Sequence, residues 1–157
     1  MYRGAGTHLR HVLELLDGDV AKVYDEQGLA DYRPRFSPVV RALLAEGPLS
    51  IRALALAVGV THSAASQTVN QMARAGFVAL TRGADARQRI VRLTERTREL
   101  LPVIEAEWDA TEAAMAELDQ ELSVPLAQVL AEIESALEKR SFAARIAGNV
   151  QDRPDQD

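Results

Sequence analysis

Between Gly47 and Leu93 the chain sets helix starts, stops and turns so close together that few architectures can satisfy them. Ser50 precedes the apolar-rich run Ile51-Arg52-Ala53-Leu54-Ala55-Leu56-Ala57-Val58, which Gly59 closes. Thr61 then precedes a second helical run to about Ala75, closed by Gly76. A Ser or Thr hydroxyl accepts a bond from a free amide at a helix start, and Gly takes the left-handed conformation that ends one. Phe77–Arg82 and Arg89–Leu93 follow as short β-prone runs on either side of the polar loop Gly83-Ala84-Asp85-Ala86-Arg87-Gln88. They read as a hairpin, the only good strand signal in the chain.

Short helix, glycine turn, second helix and hairpin is the order of a winged helix-turn-helix. Leu54, Val58 and Val60 are expected to pack inward, with Ala55 allowing close helix approach. In the second helix Ala65, Val69 and Met72 share one face. The opposite face carries His62, Ser63, Ser66, Gln67, Asn70 and Arg74, with Thr61 at its start. Those side chains are polar, mostly short and free of acid, which suits a helix that enters a DNA major groove.

The charge distribution points the same way. The net charge of −5 argues against a nonspecific nucleic-acid coat, yet it hides a strong dipole along the chain. Residues 61–98 hold Arg74, Arg82, Arg87, Arg89, Arg92, Arg96 and Arg98 against only Asp85 and Glu95. Residues 99–138 carry eleven acids and no base. That acidic stretch should lie away from any bound duplex, leaving the basic hairpin to face it.

The flanks read as helices. A first helix is expected from about Thr7 to Gly28, with Leu9, Val12, Leu16, Val20 and Val23 at helical spacing. Residues 31–36 read as an extended connector, since Pro34 disfavours helix at Arg33. Ser37-Pro38 should cap and open the next helix. Thr94 should cap a long one, along which Leu101, Ile104, Trp108, Thr111, Met115, Leu118 and Leu122 recur as a heptad seam that asks for a partner helix. Pro102 should bend it. Leu126, Leu130, Ile133 and Leu137 mark a last main helix, and the polar residues from Gly148 on should fray.

Residues 33–98 resemble the MarR (multiple antibiotic resistance regulator) family of bacterial transcription factors. The resemblance rests on Gly47-Pro48-Leu49-Ser50-Ile51-Arg52-Ala53-Leu54-Ala55 and on Gly59-Val60-Thr61-His62-Ser63-Ala64-Ala65-Ser66-Gln67. It rests further on the wing Asp85-Ala86-Arg87-Gln88-Arg89, running into Val91-Arg92-Leu93-Thr94-Glu95. Thr97 stands where many members have Gly. The resemblance implies a mainly α subunit spanning residues 1–157. A winged helix-turn-helix lobe at 33–98 would be flanked by dimerisation helices at 7–28 and 99–147. It implies a homodimeric regulator, a repressor relieved by a small phenolic or aromatic ligand, that binds a pseudo-palindromic operator. Arg87 would enter the minor groove with Asp85 holding it, and Arg82 and Arg89 would flank it. Leu101, Ile104, Trp108, Met115, Leu118, Leu122, Leu126, Leu130, Ile133 and Leu137 would dimerise, and Tyr24, Tyr32, Phe36 and Trp108 could line an effector pocket.

Other readings stay open. A winged helix can serve protein–protein contact without DNA. His8, His11 and Glu14 could support a metal-responsive regulator, although no metal site or cofactor is expected. With no Cys, no phosphate-cradling Gly-rich loop and no evident triad, an enzyme is not expected. The longest apolar run, Leu54–Val60, is too short to cross a membrane, and the amino terminus has no secretory pattern, so a cytoplasmic location is expected.

Overall fold

A computed structural model describes residues 4–83 and 88–151. The chain runs α1 (Ala5–Glu26), a 3-10 turn (Pro34–Phe36), α2 (Ser37–Glu46), β1 (Leu49–Ser50), α3 (Ile51–Val58) and α4 (His62–Arg74). It continues with β2 (Val78–Arg82), β3 (Arg89–Leu93), α5 (Glu95–Glu121), α6 (Leu126–Lys139) and α7 (Phe142–Gln151). It is mainly helical, with one small antiparallel sheet, and divides into two compact units, Met1–Asp109 and Ala110–Asp157.

In the first unit the sheet has the order β1-β3-β2. Val91 pairs with Leu80 on one side and Leu49 on the other. The strand β1 is an addition to the expected hairpin. Two residues carry no alternation to read, and only the pairing with β3 makes them a strand. The turn at Pro34–Phe36 likewise replaces part of the expected extended connector. Arg33 is extended, with φ −118° and ψ 144°, as a residue before Pro should be. The turn after it delivers Phe36 into the core, where it is 2% exposed.

That core joins Tyr24, Tyr32, Phe36 and Phe77 to Val40, Leu54, Val69, Met72, Val91 and Ile104. Ser37 does not cap α2 as the sequence suggests: no side-chain bond is made at that helix start. Its hydroxyl lies instead 3.4 Å from the Tyr24 hydroxyl and 3.3 Å from that of Tyr32. Satisfying two buried phenols outweighs a cap worth about 1 kcal/mol. The first half of the heptad seam is also committed here. Ile104 is fully buried and Trp108 is 8% exposed, so both pack within this chain's own core and are not left open for a partner helix. Pro102 stands within α5, whose helix runs on through it.

In the second unit the Asp119 carboxylate accepts the Leu126 amide at 2.9 Å, which caps α6. The expected single last helix is two. Arg140 is extended, with φ −149° and ψ 114°, and Ser141 Oγ accepts the Ala144 amide at 3.2 Å to start α7. Helix α7 carries the chain through Gly148, where fraying was expected. Among the described residues of this unit none is buried.

Candidate nucleic-acid interface

The caps around α3 and α4 are as the sequence predicts. Ser50 Oγ accepts the Ala53 amide at 3.1 Å, and Thr61 Oγ1 accepts the Ala64 amide at 3.2 Å. Between them Gly59 sits at φ 75° and ψ 32°, and the Gly59 and Val60 amides both bond the Ala55 carbonyl at 3.0 Å. A side chain at Gly59 would strain this turn. Val60 departs from its expected inward packing and is 43% exposed. The turn fixes where α4 begins and which way it faces.

Helix α4 buries Ala65, Val69 and Met72 and exposes His62, Ser63, Gln67, Asn70 and Arg74, with Ser66 half-buried and Thr61 exposed ahead of it. At about 100° per residue Gln67 is the middle of the outward face, with Ser63 and Arg74 within about 40° of it. Gln71 lies as close on the other side, and its side-chain carbonyl accepts a bond from the Arg35 guanidinium. The sequence reading passed over both residues. The helical spacing could have found Gln71, whereas Arg35 arrives from a distant turn.

The hairpin is anchored to the end of α4. Phe77 is fully buried and its amide bonds the Met72 carbonyl at 2.9 Å. Thr94 Oγ1 donates to the Gly76 carbonyl at 2.7 Å, and Thr97 Oγ1 donates to the Phe77 carbonyl at 2.6 Å. Arg96 lies 4.8 Å from the Phe77 ring centre and donates to the Ala75 carbonyl. Thr97, the departure from the family pattern, is therefore a buried clamp between α5 and the root of the hairpin. At the far end Arg82 and Arg89 are exposed cross-strand partners. Like charges so placed repel, and an anion beside them relieves the repulsion. Asp85 and Arg87, expected in the wing between these strands, lie outside the described residues.

The sequence model of the MarR family matches residues 37–89, which run from α2 to the start of β3. Over that segment the chain is similar to the MarR family, whose model spans the helix-turn-helix and the first strand of the hairpin. Solved structures extend the likeness in fold to the flanking helices. The transcriptional regulator MosR of M. tuberculosis, in complex with DNA, is 21% identical, with a TM-score of 0.66 over 87% of this chain and 98% of that one. PcaV from Streptomyces coelicolor, a transcriptional regulator in complex with its natural ligand, is 18% identical, with a TM-score of 0.61 over 90% and 99%. AbfR bound to DNA is 19% identical, with a TM-score of 0.62 over 84% and 88%. No protein of curated function matches the chain in sequence.

The aromatic residues that the MarR resemblance suggested for an effector pocket are packed on one another. Tyr24 and Tyr32 have ring centres 4.6 Å apart, and Tyr32 meets Phe36 and Phe77 edge-on at 5.7 and 5.2 Å. Tyr24 donates to the Glu107 carboxylate, itself only 3% exposed. Burial, helped by this hydrogen bond, pushes the Tyr24 phenol well above its usual range. Burial pushes Tyr32 up to about 12. Arg41 covers Trp108, with its guanidinium carbon 4.2 Å from the ring centre. Elsewhere a cavity of about 160 Å³ opens between α2, α3 and α4, with Val39, Leu54, Val58 and Thr68 in its lining. Among the described residues no three His, Asp or Glu side chains are grouped to hold a metal, His8 and His11 included.

Proposed function

We propose that this chain is a sequence-specific DNA-binding regulator of transcription that acts as a homodimer on a pseudo-palindromic operator. The observation that carries the reading is the outward face of α4. It is capped at its start, free of acid, and centred on Gln67. Gln and Asn can bond adenine edges bidentately and Ser can bond base or phosphate, so Ser63, Ser66, Gln67 and Asn70 are the reading residues. His62, Arg74, Arg82 and Arg89, with Thr61, supply contacts along the backbone. Arg87 enters the flanking minor groove, oriented by Asp85.

The two-fold assembly draws support from apolar side chains that nothing in the subunit covers. On α1 Leu9, Leu13 and Leu15 are each more than half exposed. On α6 Leu130, Ile133 and Leu137 are 47%, 43% and 39% exposed. We assign residues 33–98 to the DNA-binding lobe, and 7–28 with 99–147 to dimerisation, Ile104 and Trp108 excepted. The chain acts as a repressor in the bacterial cytoplasm, without catalysis, and a phenolic or aromatic effector releases it. The occurrence of a regulator of this fold with its natural ligand supports the last point. No described helix is long and apolar enough to cross a membrane.

Selection of bound duplexes from a random DNA pool tests the reading. An enriched motif with two-fold symmetry and half-sites about 10 bp apart is expected. Failure to enrich any sequence would favour a winged helix that binds protein instead.

A further inference from the structure

We propose that Arg35 anchors an operator phosphate at the edge of the major groove, and that Gln71 holds it in place for that contact. The inference rests on the DNA-binding reading and adds a contact from outside α3 and α4.

Arg35 belongs to the turn Pro34–Phe36, whose backbone is fixed by the proline ring and by the buried Phe36 ring. The guanidinium is exposed and reaches across to α4, where it donates to Gln71 Oε1. Arg35 also lines the same cavity as Ala64 and Thr68. Ala64, Thr68 and Gln71 are spaced four and three residues apart, so Arg35 follows a single stripe of the recognition helix for two turns. At about 100° per residue that stripe lies about 40–100° from Gln67, on the shoulder of the outward face. A helix in a major groove points its outward face at base edges and its shoulders at the phosphate walls.

Charge supports the same assignment. Among the described residues no carboxylate pairs with Arg35. Gln71 is neutral, so it orients the guanidinium without cancelling its charge. The planar fork keeps further N–H donors for a phosphate, and holding it in advance reduces the ordering cost on binding. Gln71 is thereby a positioning residue and not a base reader, although it stands on the outward face.

The test uses duplexes that the parent protein enriches from a random pool, with affinity measured across a salt series. Arg35→Ala should bind about tenfold more weakly near 0.1 M salt, with the slope of log K on log salt reduced by about 0.9 for each subunit engaged. The loss should be uniform across operator variants, and the melting temperature should stay that of the parent. Should Arg35→Ala melt early, Arg35→Gln, which keeps a polar side chain over the cavity, carries the same comparison. Arg35→Lys should keep the slope and lose part of the affinity. Gln71→Ala should weaken binding severalfold with the slope retained.

An unchanged slope in the charge-free variants would overturn the phosphate contact. So would loss of preference at one base position, since that marks a base reader. Unchanged affinity in Gln71→Ala would overturn the positioning role. If the parent enriches no duplex, the DNA-binding reading itself falls and takes this contact with it, a result distinct from a parent that binds and variants that match it.

Discussion

Gln67 and Gln71 show how much one turn of a helix decides. Both are glutamines on the outward side of α4, yet Gln71 already has a partner in Arg35 whereas Gln67 is exposed at the middle of the face. A free amide at that position can form a bidentate pair with an adenine edge. Gln67→Ala should therefore cost about 1–3 kcal/mol and relax preference at one position in each half-site. Ranking a panel of operator variants against the mutant checks this. An unchanged ranking would make Gln67 a positioning residue only. A second residue-scale expectation concerns pH. The buried Tyr32 phenol is raised from 10.0 to about 12, so the fold favours its neutral form. Its stabilising contribution is complete below pH 10, where folded and unfolded chains are both protonated, and is lost as pH rises through about 12. Tyr24 shifts in the same direction for the same cause. Melting temperature should fall over that window while tyrosinate absorbance appears. A melting temperature that is flat across it would contradict the burial of these phenols.

The elements differ in how legible they were, and the differences have physical causes. Helices α3 and α4 could be read closely because Ser50, Gly59, Thr61 and Gly76 act locally, through bonds to amides three residues away or through a positive φ. The hairpin was legible for a similar reason, since two short β-prone runs flank one polar, Gly-containing loop. Strand β1 was not, because Leu49 and Ser50 become a strand only by meeting Val91 and Ile90. Ser37 misled by being a good cap that two buried phenols needed more. The heptad seam of α5 misled further along, since periodicity shows that a face is apolar and is silent about what covers it. Of the candidate site, the polar face of α4 was legible and Arg35 was not. Its approach depends on the turn at Pro34–Phe36. The wing residue Arg87 gives the element-scale prediction. An Arg at a hairpin tip suits a narrow minor groove of negative potential. Arg87→Ala should weaken operator binding and flatten its salt dependence, with dimerisation and melting temperature nearly unchanged. Asp85→Ala should be intermediate, because it frees the guanidinium without removing its charge. Equal binding by Arg87→Ala and the parent at every salt concentration would exclude the wing contact.

At the scale of the whole molecule, the two compact units differ in how they bury apolar surface. The first closes around its own aromatic and aliphatic core. The second has no buried residue among those described, although α6 and α7 carry Leu130, Ile133, Leu137, Phe142 and Ile146 at 39–67% exposure. Helices of this length gain most of their stability from tertiary packing and little from propensity, so α6 and α7 need a covering surface to persist. In the proposed homodimer a second copy would supply one by symmetry, since a two-fold axis presents the same uncovered patch from each side. The exposed leucines of α1 add to what such a partner can bury. Folding and association should then be one event, with stability that depends on protein concentration. Leu130→Glu would place a charge in that interface, and burying it unpaired costs far more than the leucine contributed. The variant should sediment as a monomer or unfold at micromolar concentration, and its operator affinity should collapse, because one lobe alone engages one half-site. Leu13→Glu on α1 should act in the same direction. A parent chain that sediments as a well-folded monomer at that concentration, with a melting temperature independent of dilution, would leave α6 and α7 without the partner that their composition demands.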